Sequence, residues 1–320
     1  RGYFLGLDLG REKVKTYALK DGKGLFKGMF PSAIGTDGEA SQELGQANLG
    51  RGIQAAAKKT LEIAARSLDS EQASLDGISL VLSRQARREL LPEARWVMQG
   101  LEKSFSCPLY LHSDREAQAL AVSSIFQEER ICVASLGRSY SVGFWNDGLP
   151  LSGPLGAEYF WEDRTKDCYQ GSSLANLNAS AELAIAQKKG FKTSMEKLDL
   201  AEVNQAAASK SHPMHYRAYE VIRELAKHLF WNVSELYSFS PYTLLVLTGA
   251  RTSQVGNALV KELEELLARK GDGEEFRVLS VEAKMNPSLT AAYGGALLAS
   301  AQKQGIPVGG ISLKTLLARK

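Results

Sequence analysis

Short apolar runs separated by turn residues open the chain. Gly2-Tyr3-Phe4-Leu5-Gly6-Leu7-Asp8-Leu9-Gly10 predicts a buried strand that ends in a turn. Residues 14–19 predict a second strand, which Asp21-Gly22-Lys23-Gly24 closes with turn chemistry, and residues 25–30 predict a third. A Gly-rich polar stretch, residues 35–52, predicts a loop. Residues 53–68 carry Ala, Leu and Ile at helical spacing and predict a helix. A short apolar strand at 78–82, a helix at 93–105, a strand at 108–112 running into Asp114 and a helix at 115–126 follow.

The pattern then restarts. Residues 131–136 predict a strand, Gly137 a turn, and residues 141–145 a strand. Asn146-Asp147-Gly148 is a strong hairpin turn before a strand at 149–151. Residues 173–238 predict a mostly helical segment, and residues 244–247 a buried strand ended by Thr248-Gly249. An amphipathic helix at 257–270, a strand at 276–280 and a helix of small residues at 287–301 complete the order. Paired strands followed by helices thus occur twice, which predicts two similar α/β lobes, each a mixed sheet flanked by helices, around a cleft. The expected division is 1–115 and 116–320, with the last helix packing back on the N-terminal lobe. A small ligand is expected in the cleft.

Composition narrows the partners more than the chemistry. The 320 residues are 44% apolar and 23% charged, an ordinary globular balance for two domains. A net charge of +3 is too small to argue for nucleic acid or a membrane surface, and neither is expected. Cys107, Cys132 and Cys168 show no C-x-x-C pairing, which argues against a disulfide framework or zinc site and for a reducing cytoplasm. No apolar run has the length of a membrane helix, and the first residues pass straight into a strand-like run, so no signal peptide is expected.

Chemistry concentrates at the strand ends. Asp8-Leu9-Gly10-Arg11-Glu12-Lys13-Val14-Lys15, Gly137-Arg138-Ser139, and Thr248-Gly249-Ala250-Arg251 are turns after apolar strands. Glycine there lets backbone N–H groups approach a phosphate. In order and spacing these segments resemble the loops of the actin-like ATPase superfamily: the first phosphate loop, D-x-G-T/S-x-x-x-K, then the second phosphate loop, then the adenosine loop. The run Asn286-Pro287-Ser288-Leu289-Thr290-Ala291-Ala292-Tyr293-Gly294-Gly295-Ala296 resembles the superfamily's closing helix. Tyr110-Leu111-His112-Ser113-Asp114-Arg115-Glu116-Ala117 is similar to the N-D strand end and Ala-rich helix of ROK and BadF-type N-acetylglucosamine-kinase-like proteins. Trp145-Asn146-Asp147-Gly148 through Glu158 resembles a further run of those families and of butyrate-kinase-type acyl kinases.

The resemblance implies ATP and Mg²⁺ as cofactors. It implies Asp8 as the carboxylate that holds Mg²⁺ through water, and Gly10, Arg11, Lys15, Gly137, Arg138, Ser139, Gly249, Ala250, Arg251 and Gly294 around the nucleotide. It implies Asp114 as the general base for a substrate hydroxyl. The phosphate loops depart from the pattern, because Arg11 and Arg138 stand where small residues are expected and Ala250-Arg251 where a second glycine is. Three readings of these arginines stay open: surface turn residues, a cationic site for nucleotide or another polyanion, or neutralisers of Asp8, Asp114 or Glu158. Asp8 also reads as a strand-end turn residue, and Asp114 as a helix N-cap. His112, His212, His215 and His228 lack ligand spacing, and Trp145, Tyr159, Phe160 and Trp161 read as core or as a stacking surface.

Two functions follow. One is an ATP-dependent kinase that phosphorylates a small sugar or carboxylate substrate. The other is a catalytically inactive member of the same fold that binds an anionic ligand or a partner in a regulatory or scaffold role. Assembly as a homodimer is compatible with either.

Overall fold

The computed structural model describes residues 2–9, 13–31, 75–82, 103, 105–137, 140–147, 149–151, 160–161, 171–172, 177–192, 199–270 and 276–306. The chain forms two compact units: Arg1–Glu129 with Asp147–Pro150 and Leu289–Lys320, and Arg130–Asn146 with Leu151–Ser288. The loop expected at 35–52, the helix at 53–68 and most of the helix at 93–105 lie outside the described residues.

In the first unit, strands β1 (Tyr3–Leu9), β2 (Lys13–Lys20), β3 (Lys23–Pro31), β4 (Gly77–Leu82) and β5 (Leu109–Ser113) form a sheet in the order β3-β2-β1-β4-β5. β1 pairs antiparallel with β2 and parallel with β4, and β4 pairs parallel with β5. The parallel strands therefore end along one edge of the sheet. β4 is buried at every position, as a strand covered on both faces must be. Helix α1 (Asp114–Phe126) follows β5 directly, and the small-residue helix α6 (Thr290–Lys303), the last in the chain order among the described residues, packs on both α1 and β1. A side chain at Gly294 would overlap the carbonyl oxygen of Ala117 on α1, and one at Gly6 would overlap the backbone of α6 at Ala292. Glycine at these positions lets backbone touch backbone.

The second unit repeats the plan. Strands β6 (Arg130–Leu136), β7 (Tyr140–Asn146), β8 (Leu149–Leu151), β11 (Leu244–Thr248) and β12 (Arg277–Ser280) form a sheet in the order β12-β11-β6-β7-β8. β6 pairs antiparallel with β7 and parallel with β11, which pairs parallel with β12. The short strands β9 (Phe160–Trp161) and β10 (Gly171–Ser172) pair with each other. The helical segment resolves into α2 (Ala179–Lys188), α3 (Leu200–Ala208) and α4 (His215–Phe239). Helix α5 (Thr252–Lys270) begins earlier than the sequence predicts, directly after the turn that ends β11. The closing helix begins later than predicted, at Thr290, because Pro287–Leu289 forms a 3-10 turn first.

The first unit runs to Glu129 and includes α1, which packs on α6.

The close approach at Gly294 gives a direct test. Gly294→Val should destabilise the chain by about 1–3 kcal/mol or more, since backbone cannot yield as a side chain does. Chemical denaturation measures it. Gly22→Ala, in a turn with open space but at φ +77°, should cost about 1 kcal/mol from the backbone conformation alone, with no overlap to relieve.

Candidate functional site

The edge where β1, β4 and β5 end brings together Asp8, Lys15 and Asp114. Asp8 is the penultimate residue of β1 and lies directly across from Lys15 on β2. The Lys15 ammonium donates to Asp8 Oδ2 at 2.9 Å. Both side chains are only partly exposed, 25% for Lys15 and 13% for Asp8, so the pair is held by strand register rather than by a chance surface encounter. Asp8 stands beside Val81 on β4, and Val81 stands beside His112 on β5. Asp114 follows one residue after β5 ends its run at Ser113. The Asp8 charge raises the Lys15 pKa, burial works against it, and the Asp8 hydrogen bond and the Asp114 charge add to the rise.

Asp114 does not cap its helix. The N-cap is Ser113, whose hydroxyl accepts the Glu116 N–H at 3.2 Å while the Glu116 carboxylate accepts the Ser113 N–H at 3.2 Å. This reciprocal capping box is legible in the S-x-x-E spacing, and it leaves the Asp114 carboxylate available for other work. Burial raises the pKa of Asp114 to about 6; Arg115 and first-turn backbone N–H groups pull it down, and the Asp8 charge pushes it further up. A carboxylate in this range is mostly ionised at neutral pH yet accepts a proton readily, which suits a general base.

In the second unit, β6 and β11 run parallel with Thr248 beside Ser135, so their C-terminal turns meet. Gly249 adopts φ +95°, and a Cβ there would sit 2.5 Å from the Leu136 carbonyl oxygen. Only glycine takes that conformation and that approach together. The turn is stitched by Thr248 Oγ1 donating to the Pro287 carbonyl at 3.1 Å, by the Arg251 N–H donating to the Leu136 carbonyl at 3.0 Å, and by Thr252 Oγ1 donating to the Gly249 carbonyl at 2.7 Å. The expected adenosine loop, Thr248 to Arg251, thus rests on Leu136, the last residue of β6 before Gly137.

The remaining residues divide clearly. Gly10, Arg11, Arg138, Ser139, Glu158, Tyr159 and Cys168 lie outside the described residues. Ala250 sits exposed in the turn. Gly294 packs α6 on α1 in the first unit. Arg251, grouped by sequence with the other loop arginines, turns inward: it is buried and pairs with Glu182 of α2 at 2.5 Å. Sequence reasoning missed Glu182. Its signal was a carboxylate on the same helical face as the apolar Ile185 and Ala186. Trp145 is core. His112 Nδ1 lies 2.7 Å from the Ser79 hydroxyl inside the first sheet. Among the described residues no group of three or more His, Cys, Asp or Glu side chains is placed to hold a metal ion.

The raised pKa of Asp114 has a stability consequence. Its folded value of about 6 lies above the ordinary 3.8, so the folded chain binds this proton more tightly than the unfolded chain does. The contribution favours folding below 3.8 and is lost as pH rises through about 6. At neutral pH, Asp114→Asn should therefore stabilise the chain by about 1–2 kcal/mol, allowing for partial exposure. The gain should vanish at pH about 4. Thermal unfolding at the two pH values checks both.

No family model matches the sequence, and no curated protein matches it. Solved structures do match. The ROK hexokinase from Thermus thermophilus is 18% identical with a TM-score of 0.67, over 94% of this chain and 99% of that one. The ROK family glucokinase from Streptomyces griseus, solved with glucose and AMPPNP, is 17% identical with a TM-score of 0.67, over 93% and 99%. A ROK family transcriptional regulator, a homologue of the E. coli MLC protein, is 17% identical with a TM-score of 0.63, over 92% and 80%. With near-complete coverage of both chains in each comparison, the protein shares the fold of these ROK family kinases.

Proposed function

We propose that the chain is an ATP-dependent kinase of the sugar-kinase type. The observation that carries this reading is the placement of Asp114: it opens α1 at the end of a parallel strand, is relieved of capping by Ser113, and is close enough to Asp8 and Lys15 to feel both charges. The T. thermophilus hexokinase and the S. griseus glucokinase, to which the chain is similar over almost its whole length, lend support from their own activities.

In this reading Asp114 accepts the proton of a sugar hydroxyl. The hydroxyl oxygen forms its bond to the γ-phosphorus of ATP as the bond to the β–γ bridging oxygen breaks. ATP supplies the phosphoryl group and its leaving group. Among the described residues Asp8 is a lone carboxylate with no cage of further ligands, so a Mg²⁺ ion held here would bring its own waters and phosphate ligands and would share Asp8 with Lys15. In this reading the Gly249 turn, held to glycine by the close approach of the Leu136 backbone, shapes the edge of the nucleotide site.

A second reading, a ligand-binding regulator without turnover, draws on two observations. The similar structures include a ROK family transcriptional regulator, and Lys15 already neutralises the carboxylate expected to hold the metal.

Assay of ATP-dependent phosphorylation across a panel of hexoses and N-acetylhexosamines separates them. The kinase reading expects transfer that Asp114→Asn lowers by about 10²–10⁴-fold, the usual contribution of a positioned base. The rate should fall as pH drops through about 6, where Asp114 takes up its proton. Sugar binding with no transfer at any pH would leave the regulatory reading.

A further inference from the structure

Arg251 makes contacts that a nucleotide loop does not require. Its Nη1 donates to Glu182 Oε2 at 2.5 Å, its Nη2 donates to the Leu177 carbonyl, and its backbone N–H donates to the Leu136 carbonyl at 3.0 Å. One residue therefore ties the start of α2, the end of β6 and the turn after β11. Leu136, Leu177, Leu225, Leu229, Val255 and Leu259 surround the pair. Within that apolar wall Arg251 Nε and Glu182 Oε1 have no hydrogen-bond partner among the described residues.

Such a pair is a poor device for stability. Desolvating both charges offsets most of their attraction, and apolar residues of similar volume commonly fill a buried site as well or better. What the pair supplies is geometry. A guanidinium is a rigid planar fork that reaches two acceptors at fixed angles, which an ammonium on a flexible stem does not reproduce.

We propose that Arg251 is a positioning residue: clamped to Glu182 and Leu177, it fixes the Gly249-Ala250 turn against Leu136-Gly137, so that the two loops present one rigid backbone surface to the nucleotide. The last clause rests on the kinase reading; the clamp itself does not. The clamp also explains why Arg251 differs from a loop arginine that would meet a phosphate, since its charge is consumed inside the unit.

The experiment compares the wild-type chain with Arg251→Lys and with the double variant Arg251→Met, Glu182→Leu, which leaves no orphaned charge. Three readouts are taken: thermal midpoint, amide exchange of peptides spanning residues 132–137 and 247–254, and KM and kcat for ATP. The double variant should keep its thermal midpoint or raise it, while exchange in both peptides accelerates about tenfold or more through local opening. Its KM for ATP should rise about fivefold or more with kcat little changed, the mark of lost ground-state positioning. Arg251→Lys should show the same local acceleration, and it decides the matter should the double variant fail to fold. Unchanged exchange in the folded variants would overturn the clamp. A wild-type chain that does not bind ATP would sink the kinase reading alone, because the exchange comparison needs no nucleotide.

Discussion

In the first unit Lys15 pairs with Asp8 and lies near enough to Asp114 for that charge to act on it. Asp8 and Asp114 come together because three parallel strands, β1, β4 and β5, end along the same edge, and because the antiparallel neighbour β2 sets Lys15 across from Asp8. Slipping β2 by one residue would send Lys15 to the opposite face and leave Asp8 without its paired cation. The lysine holds Asp8 at 2.9 Å, and Asp114, partly buried and repelled by Asp8, is left with a strengthened hold on its proton. The reactivity proposed for Asp114 is thus a product of sheet register and burial together, and neither alone would give it.

The second unit repeats the topology and disposes of its charge differently. Its parallel strands β6 and β11 also end together, but the arginine that follows them is turned into the core and matched by Glu182. Burial raises the pKa of Glu182 while the Arg251 charge opposes that rise. One unit keeps its ionisable groups at a partly exposed edge, where they can meet a substrate. The other spends its charged pair on holding a glycine turn still. A division of this kind fits a kinase, in which one set of residues does proton chemistry and another presents backbone, and it places different demands on substitution in the two sets.

Much of this was legible in the sequence, for identifiable reasons. The strands announce themselves as short apolar runs ended by Gly, Asp or Asn, and their two-fold recurrence predicts the repeated sheet order. The capping box at Ser113 and Glu116 is a local pattern. Helix α5 was placed too far along because Ser253, Gln254 and Gly256 dilute its first turn, although Val255 is buried there. The contact that keeps α1 in the first unit comes from α6, far away in the chain, and no local pattern reports it. Arg251 shows the deeper limit. The sequence displays a positive charge beside a turn, but the direction of the side chain depends on Glu182, on a helix that precedes it by a long stretch of chain. Arg11 and Arg138 carry the same ambiguity and lie outside the described residues.

The phosphoryl-transfer reading is tested most directly by titration calorimetry of the chain with ATP, with and without Mg²⁺. Saturable binding in the micromolar range that weakens strongly when Mg²⁺ is withheld, and weakens again in Asp8→Asn, is the expected result. Absence of binding at millimolar ATP in the presence of Mg²⁺ would contradict it, and would turn attention to the chain as a sugar-binding protein without a nucleotide.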